Sequence, residues 1–245
     1  MTFARRAAAL PTRVRAVREL TSHMREIELV GPDVARLRLR PGAHVVARVP
    51  DGGGFARRVY SIWRHDPRSS LLVLRVAVHD AGGPGCAWAL SVAADDRLTL
   101  EPPRTKITVD ESARFHVFIG DETGAVPLLA MRAALHRATR GAAVVHGVFE
   151  TADPGDEVPD VDGLPPMPWV HRGRTSAVAS RVLLRAVQDL DLPAGPGAAY
   201  LAGESDTCRL VQRHLVEQRG WNRHAIRVQQ QWAPNRPGFG AGRDD

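Results

Sequence analysis

Lysine is almost missing from this chain: Lys106 is the single one among 33 lysines and arginines. Tyrosine and cysteine occur twice each, and aromatics make up 5% of 245 residues. Each scarcity excludes something. Cys86 and Cys208 stand far apart and match no metal spacing, so they read as reduced cytoplasmic thiols, and no metal site is expected. No apolar run approaches the roughly 20 residues that cross a bilayer, so no membrane partner is expected. The opening stretch MTFARRAAALPTRVRAV has arginines but no apolar core of secretory length; the expected location is cytoplasmic. Formal net charge is +6, yet the arginines are dispersed and no basic run is interleaved with aromatics. That excludes nucleic acid as an expected partner and leaves a general attraction for small anions. Nothing in the sequence sets an oligomeric state.

What is present falls into two halves, residues 1–110 and 111–245. The first reads as short β-favouring segments: RVRAVREL, MREIELVG, HVVARVP, VYSIW, LLVLRVAVHD and RLTLEPP. Turn residues separate them, which predicts a small antiparallel β-barrel. In the second half, apolar strands (RFHVFIGD, AAVVHGVFE, MPWVHRG, GAAYLAGE, AIRVQQQW) alternate with helical stretches. That alternation predicts an α/β domain with a parallel sheet, whose ligands lie beyond the carboxyl ends of the strands. Gly120-Asp121 and Gly203-Glu204 fall at such ends. The acidic, proline-rich stretch from Thr151 to Pro168 reads as a solvated surface loop.

One of the two tyrosines sits in Arg58-Val59-Tyr60-Ser61. Strand alternation puts Arg58 and Tyr60 on one side and Ser61 on the other. A flat ring, a planar cation and a hydroxyl together suit a flat, phosphorylated ligand. Downstream, Gly83-Pro84-Gly85-Cys86-Ala87-Trp88 leads glycines into a short helix, whose first amides suit phosphate. Gly120-Asp121-Glu122-Thr123-Gly124 ends a buried strand and opens a helix; Asp121 or Thr123 reads equally as an ordinary N-cap. It is neither G-x-G-x-x-G nor a Walker loop. His44, His116, His136, His146 and His214 read as surface or satisfied core residues.

Barrel followed by α/β domain is the layout of flavin reductases. The ordered motifs resemble the siderophore-interacting protein family of the ferredoxin-reductase superfamily. They are Arg58-Val59-Tyr60-Ser61, His79, Gly83 to Ala89, Gly120 to Thr123, Trp169-Val170-His171-Arg172 and Ala202-Gly203-Glu204. The resemblance implies an FAD-dependent NAD(P)H oxidoreductase that passes electrons to a ferric chelate. It implies that Tyr60 lies against FAD, Arg58 holds its phosphates and Ser61 faces the ring. It adds His79, Gly83, Pro84, Gly85, Cys86 and Trp88 to the FAD site, and Asp121, Glu122, Thr123, Gly203 and Glu204 to the seam with NADPH or NADH. Tyr60, Ser61, Thr123 and Trp232 would stand nearest the chemistry. Arg172 and Arg174 are expected to meet the extra phosphate of NADPH.

Departures from the family pattern keep two other readings open. Trp63 stands where the family has arginine, Gly124 is extra, and the closing G-Y-W-R reads Gln230-Gln231-Trp232-Ala233. A site with fewer cations favours a biosynthetic flavoenzyme on the same scaffold acting on an organic substrate. A non-catalytic ligand-binding module is the third reading, against which Arg58, Tyr60 and the glycine turn argue.

Overall fold

Alternation of apolar and polar side chains builds the first half, as Thr12 and Val14 show, buried between exposed neighbours on β1 (Leu10–Thr21). The computed structural model describes residues 9–79, 82–195, 197–234 and 236. The first eight residues of the stretch read against export lie outside the described residues.

Strands β2 (Met24–Val30), β3 (Ala43–Asp51), β4 (Gly54–Asp66), β5 (Leu71–Ala77) and β6 (Arg97–Leu100) join β1 in the order β4-β5-β2-β1-β6-β3. Because β4 also pairs with β3, the six antiparallel strands close into a barrel. A two-residue β7 (Arg104–Thr105) adds to β3. The barrel core is aliphatic, with Val45, Ala47, Leu72, Leu74 and Leu100 without exposed surface. Helix α1 (Pro84–Ser91) packs against it through Trp88 and Ala89.

The second half is a five-stranded parallel sheet of β8 (Phe115–Asp121), β9 (Val144–Thr151), β10 (Trp169–His171), β11 (Ala198–Glu204) and β12 (Ile226–Trp232), in the order β10-β9-β8-β11-β12. Every residue of β8 and β11 is buried, which explains their unbroken apolar runs. Helix α2 (Glu122–Thr139) covers one face; α3 (Arg181–Gln188) and α4 (Ser205–Glu217) cover the other. The strand order reverses between β8 and β11, so the crevice at their carboxyl ends is the switch point where such sheets bind ligands.

The two halves share an apolar cluster. Leu128, Leu129 and Met131 of α2 pack with Met24, Ile107 and Trp63 from the barrel side. The stretch from Thr151 to Pro168 lies at the surface, with Asp153 to Gly155 and Pro165, Pro166 and Pro168 exposed, but it is also pinned at several points. Asp156 accepts bonds from Ser22 Oγ (2.7 Å) and His23 Nδ1 (3.0 Å), the Pro159 carbonyl accepts from Arg75, and Asp160 pairs with Arg132. Its composition looked like solvent, but its partners lie on the barrel and on α2. Among the described residues, no helix is long and apolar enough to cross a membrane, and no three metal-binding side chains converge.

Candidate functional site

Pairing with β3 sets the aim of the first motif. Arg58 sits opposite Ala47, Tyr60 opposite Val45, and Ser61 opposite His44. Val45 and Ala47 belong to the barrel core, so Arg58 and Tyr60 share that side and Ser61 faces the other. The Tyr60 ring stacks on Trp88 with centroids 5.5 Å apart. Gly85 passes so close that a Cβ there would stand 2.9 Å from the Tyr60 hydroxyl and 3.3 Å from Arg58 Cγ. Gly83 turns the chain at φ +100°, a conformation side chains disfavour, and Pro84 follows at the first helical position.

Three unmet demands converge here. No side chain caps the start of α1, and its first turn holds no acid. The Tyr60 hydroxyl is buried without a partner among the described residues, and burial pushes its pKa up against the opposing charge of Arg58. Arg58 meets no carboxylate among the described residues and donates only to the Arg57 carbonyl (2.9 Å), whereas Arg57 holds Glu101 at 2.7 and 2.8 Å. A free cation, a buried hydroxyl and an uncapped helix start together suit an anionic group. Pro84, Gly85, Cys86 and Trp88 thus join Arg58 and Tyr60. His79 does not: it is exposed, and its carbonyl accepts from Gly82 (3.2 Å).

The sheet side has the opposite character. Asp121, 4% exposed, accepts five hydrogen bonds. Its Oδ1 takes the amides of Thr123 and Gly124 (both 2.9 Å) and the Thr123 hydroxyl (2.6 Å). Its Oδ2 takes the amide of Glu204 (2.8 Å) and Nε1 of Trp232 (2.9 Å). One carboxylate therefore ties β8, α2, β11 and β12 together. Gly203, at φ +133°, leaves room for it; a Cβ there would fall 2.6 Å from the Asp121 carboxyl. Gly124 has a like cause, since its Cβ would lie 2.0 Å from the Ala202 carbonyl oxygen.

The protein's own side chains cap the other helix starts. Glu204 accepts from the amides of Asp206 (2.9 Å), Thr207 (2.7 Å) and Ala179 (3.1 Å). Burial alone would raise its pKa, but these bonds outweigh burial and lower it. Ser180 caps α3 and donates to buried Glu150. Arg172 forks onto Glu122 (3.2 Å twice) and lies 3.6 Å from Glu150. Burial raises the pKa of both glutamates, with Asp121 adding to the rise at Glu122 and Arg172 opposing it at each. Arg172 is thus engaged within the protein, whereas Arg174 is exposed. At the starts of α2 and α4, carboxylates of the protein itself take amides that an anion would otherwise meet.

A hydrogen bond joins the clusters: Gln231 Nε2 approaches Ser61 Oγ at 3.4 Å, bridging β12 and β4. Sequence reading missed two features of this region. Ser180 and Glu150 carry no local motif. His44, read as a surface or satisfied core residue, has a buried Nδ1 with no partner among the described residues, and burial, then Lys106 and Arg104, lower its pKa to about 4.

Barrel and sheet, with the switch point facing the barrel strand of Ser61, define the ferredoxin-reductase-like fold, shared at 18–20% identity with reductase domains of larger systems. Within it, the chain belongs to the siderophore-interacting protein family, whose model matches residues 113–235. A siderophore utilization protein from T. fusca is 28% identical, covers 95% of each chain and superposes with a TM-score of 0.80. The siderophore-interacting protein of Aeromonas hydrophila, 19% identical over 93% of this chain and 92% of its own, gives 0.76. A curated relative, the carnitine monooxygenase reductase subunit of Escherichia coli (strain K12), is 30% identical over 125 residues. The match takes in half of this chain and 39% of that relative.

Proposed function

We propose that the chain is an FAD-dependent oxidoreductase that takes electrons from NADPH or NADH and passes them to a small acceptor, a ferric chelate. Residues 1–110 would carry the flavin and residues 111–245 would meet the donor. The observation that carries the reading is the open start of α1 beside the unpartnered Tyr60 hydroxyl and unpaired Arg58. Arg58 and the first amides of α1 would hold the FAD phosphates, and the Tyr60 hydroxyl would find its missing partner there. Gly83 opens on free space, Gly85 lets α1 lie close to Tyr60 and Arg58, buried Cys86 anchors the helix in the barrel core, and Trp88 backs the Tyr60 ring. His79 would act only through its loop.

When bound, a flavin accepts a hydride and releases electrons singly, as reduction of Fe(III) to Fe(II) requires. The protein's part is orientation. Ser61 on the outer face of β4 and Trp232 on β12 would bound the ring from two sides, with Gln231 holding the seam. Asp121, Thr123, Gly203 and Glu204 fix where α2 starts and β11 ends, and Glu122 with Arg172 stiffens that edge. No side chain need move a proton for iron release, because Fe(II) leaves hard oxygen ligands more readily than Fe(III).

Arg58→Ala removes a charged bond to phosphate, which contributes about 1.5–3 kcal/mol, so FAD binding is expected to weaken by about 10- to 100-fold. Tyr60→Ala is expected to do the same. Flavin content after purification and titration of apoprotein with FAD check this; both variants fully loaded would sink the placement. The neutral pair Gln230-Gln231 favours the second reading, a flavoenzyme acting on an organic substrate. It gains if flavin binds as expected and no ferric chelate reoxidises it.

A further inference from the structure

The four main helices differ at their starts in one respect. Helix α1 has no side-chain cap, whereas Asp121, Ser180 and Glu204 cap α2, α3 and α4. The last three open at the carboxyl edge of the sheet, where parallel sheets ordinarily receive a dinucleotide's pyrophosphate. Here the protein's own side chains take five of the amides in these first turns. Those of Thr123 and Gly124 go to Asp121, those of Asp206 and Thr207 to Glu204, and that of Leu183 to Ser180. Displacing either carboxylate would strand a charge in the interior, since Asp121 is 4% and Glu204 1% exposed. Glu150, 1% exposed, adds a further acid behind Ser180. Arg172, just after β10, is shared by Glu122 and Glu150, and Arg181, the first residue of α3, is exposed. Arg174 is exposed, where a single contact is weak and screened by salt.

On the reading that the chain carries flavin and takes electrons from a reduced nicotinamide, we infer that it recognises its donor by the dihydronicotinamide end alone. The pyrophosphate and adenosine of NADH or NADPH make no bond at the helix starts. The donor class is then dihydronicotinamides in general, and the extra phosphate of NADPH confers little preference. The same carboxylates that lock four elements together also make the edge repel phosphate.

The test compares NADPH, NADH, reduced nicotinamide mononucleotide and uncharged 1-benzyl-1,4-dihydronicotinamide as reductants of the FAD-loaded protein. Anaerobic stopped-flow gives second-order constants for flavin bleaching. An exposed, salt-screened contact of the kind Arg174 offers is worth at most about fivefold, so all four are expected within about tenfold of one another. A larger advantage for either dinucleotide overturns the inference. Calorimetric titration of the unreduced protein with ADP-ribose, which has the pyrophosphate and adenosine but no nicotinamide, decides the point without electron transfer. No binding is expected at about 1 mM, and a dissociation constant below about 100 μM overturns it. If none of the four donors bleaches the flavin, the proposed donor falls, while absence of ADP-ribose binding still upholds the closed pyrophosphate site.

Discussion

His44 and Gly124 show how single residues fix this site. His44 shares the outer face of the barrel with Ser61 and Arg104, its cross-strand partners. It is 2% exposed, and burial first, then the charges of Lys106 and Arg104, lower its pKa to about 4. Unfolded, it titrates near 6.5. Protons therefore bind the unfolded chain more tightly, so the stability held by a neutral His44 is complete above pH 6.5. It is lost as pH falls from 6.5 towards 4. The loss amounts to at most about 3 kcal/mol. His44→Gln is expected to flatten that part of the profile, measured by urea unfolding at several pH values; parallel curves for both proteins would refute the assignment. Gly124→Ala puts a methyl 2.0 Å from the Ala202 carbonyl oxygen, a backbone atom that cannot turn aside. Overpacking of this kind costs about 1–3 kcal/mol, a fall in Tm of about 2–10 °C. An unchanged melting curve would show that α2 does not need its close approach to β11.

At the scale of elements, what the sequence revealed follows the range of the interactions. Strands β1 to β6 announced themselves because alternation is local, and β8 and β11 because burial on both faces leaves an unbroken apolar run. The N-cap at Asp121 was legible from its place before a helix. Glu204 as a cap was not, since glutamate is a poor local signal and its bonds depend on β11 ending beside Asp121. Arg58 and Tyr60 were legible as a pair, but the uncapped start of α1 beside them needed the fold. The pinning of the surface stretch from Thr151 to Pro168 was hidden for the same reason. Its acids look solvated until Ser22, His23 and Arg132 are brought to them from distant parts of the chain. Asp156→Ala removes the carboxylate that Ser22 and His23 share at the junction of the two halves. The expected cost is about 1–2 kcal/mol, with faster proteolytic cleavage within the stretch under native conditions. Cleavage at the wild-type rate would mean that Asp160 and Pro159 hold the segment without it.

For the whole molecule, charge bears on the acceptor. A net charge of +6 draws anionic chelates in general, but its distribution decides where they dock. Arg64, Arg18, Arg40 and Arg137 line a cleft of about 550 Å³ beside α2, together with Trp63. Gln230 opens instead on a polar hollow of about 410 Å³ lined by Lys106, Arg209 and Arg223, with no carboxylate in its wall. That hollow borders β12, the strand whose Gln231 meets Ser61 and whose Trp232 meets Asp121. A ferric chelate approaching the proposed flavin along β12 would pass these three cations and two neutral glutamines. Arg209 is partly neutralised by Asp206, which leaves Lys106 and Arg223 as the steering pair. Two exposed cations suit a chelate of modest charge better than a tris-catecholate complex. Hydroxamate and citrate-type chelates are therefore expected to reoxidise the reduced flavin faster than catecholates. Lys106→Ala and Arg223→Ala should each slow that step severalfold at about 0.02 M salt and little at about 0.3 M, because screening removes steering. Arg64→Ala, on the other cleft, should leave it unchanged. Stopped-flow reoxidation with both chelate classes is the measurement. Fast, salt-sensitive reaction with catecholates, or a loss confined to Arg64→Ala, would place the acceptor beside α2 instead of along β12.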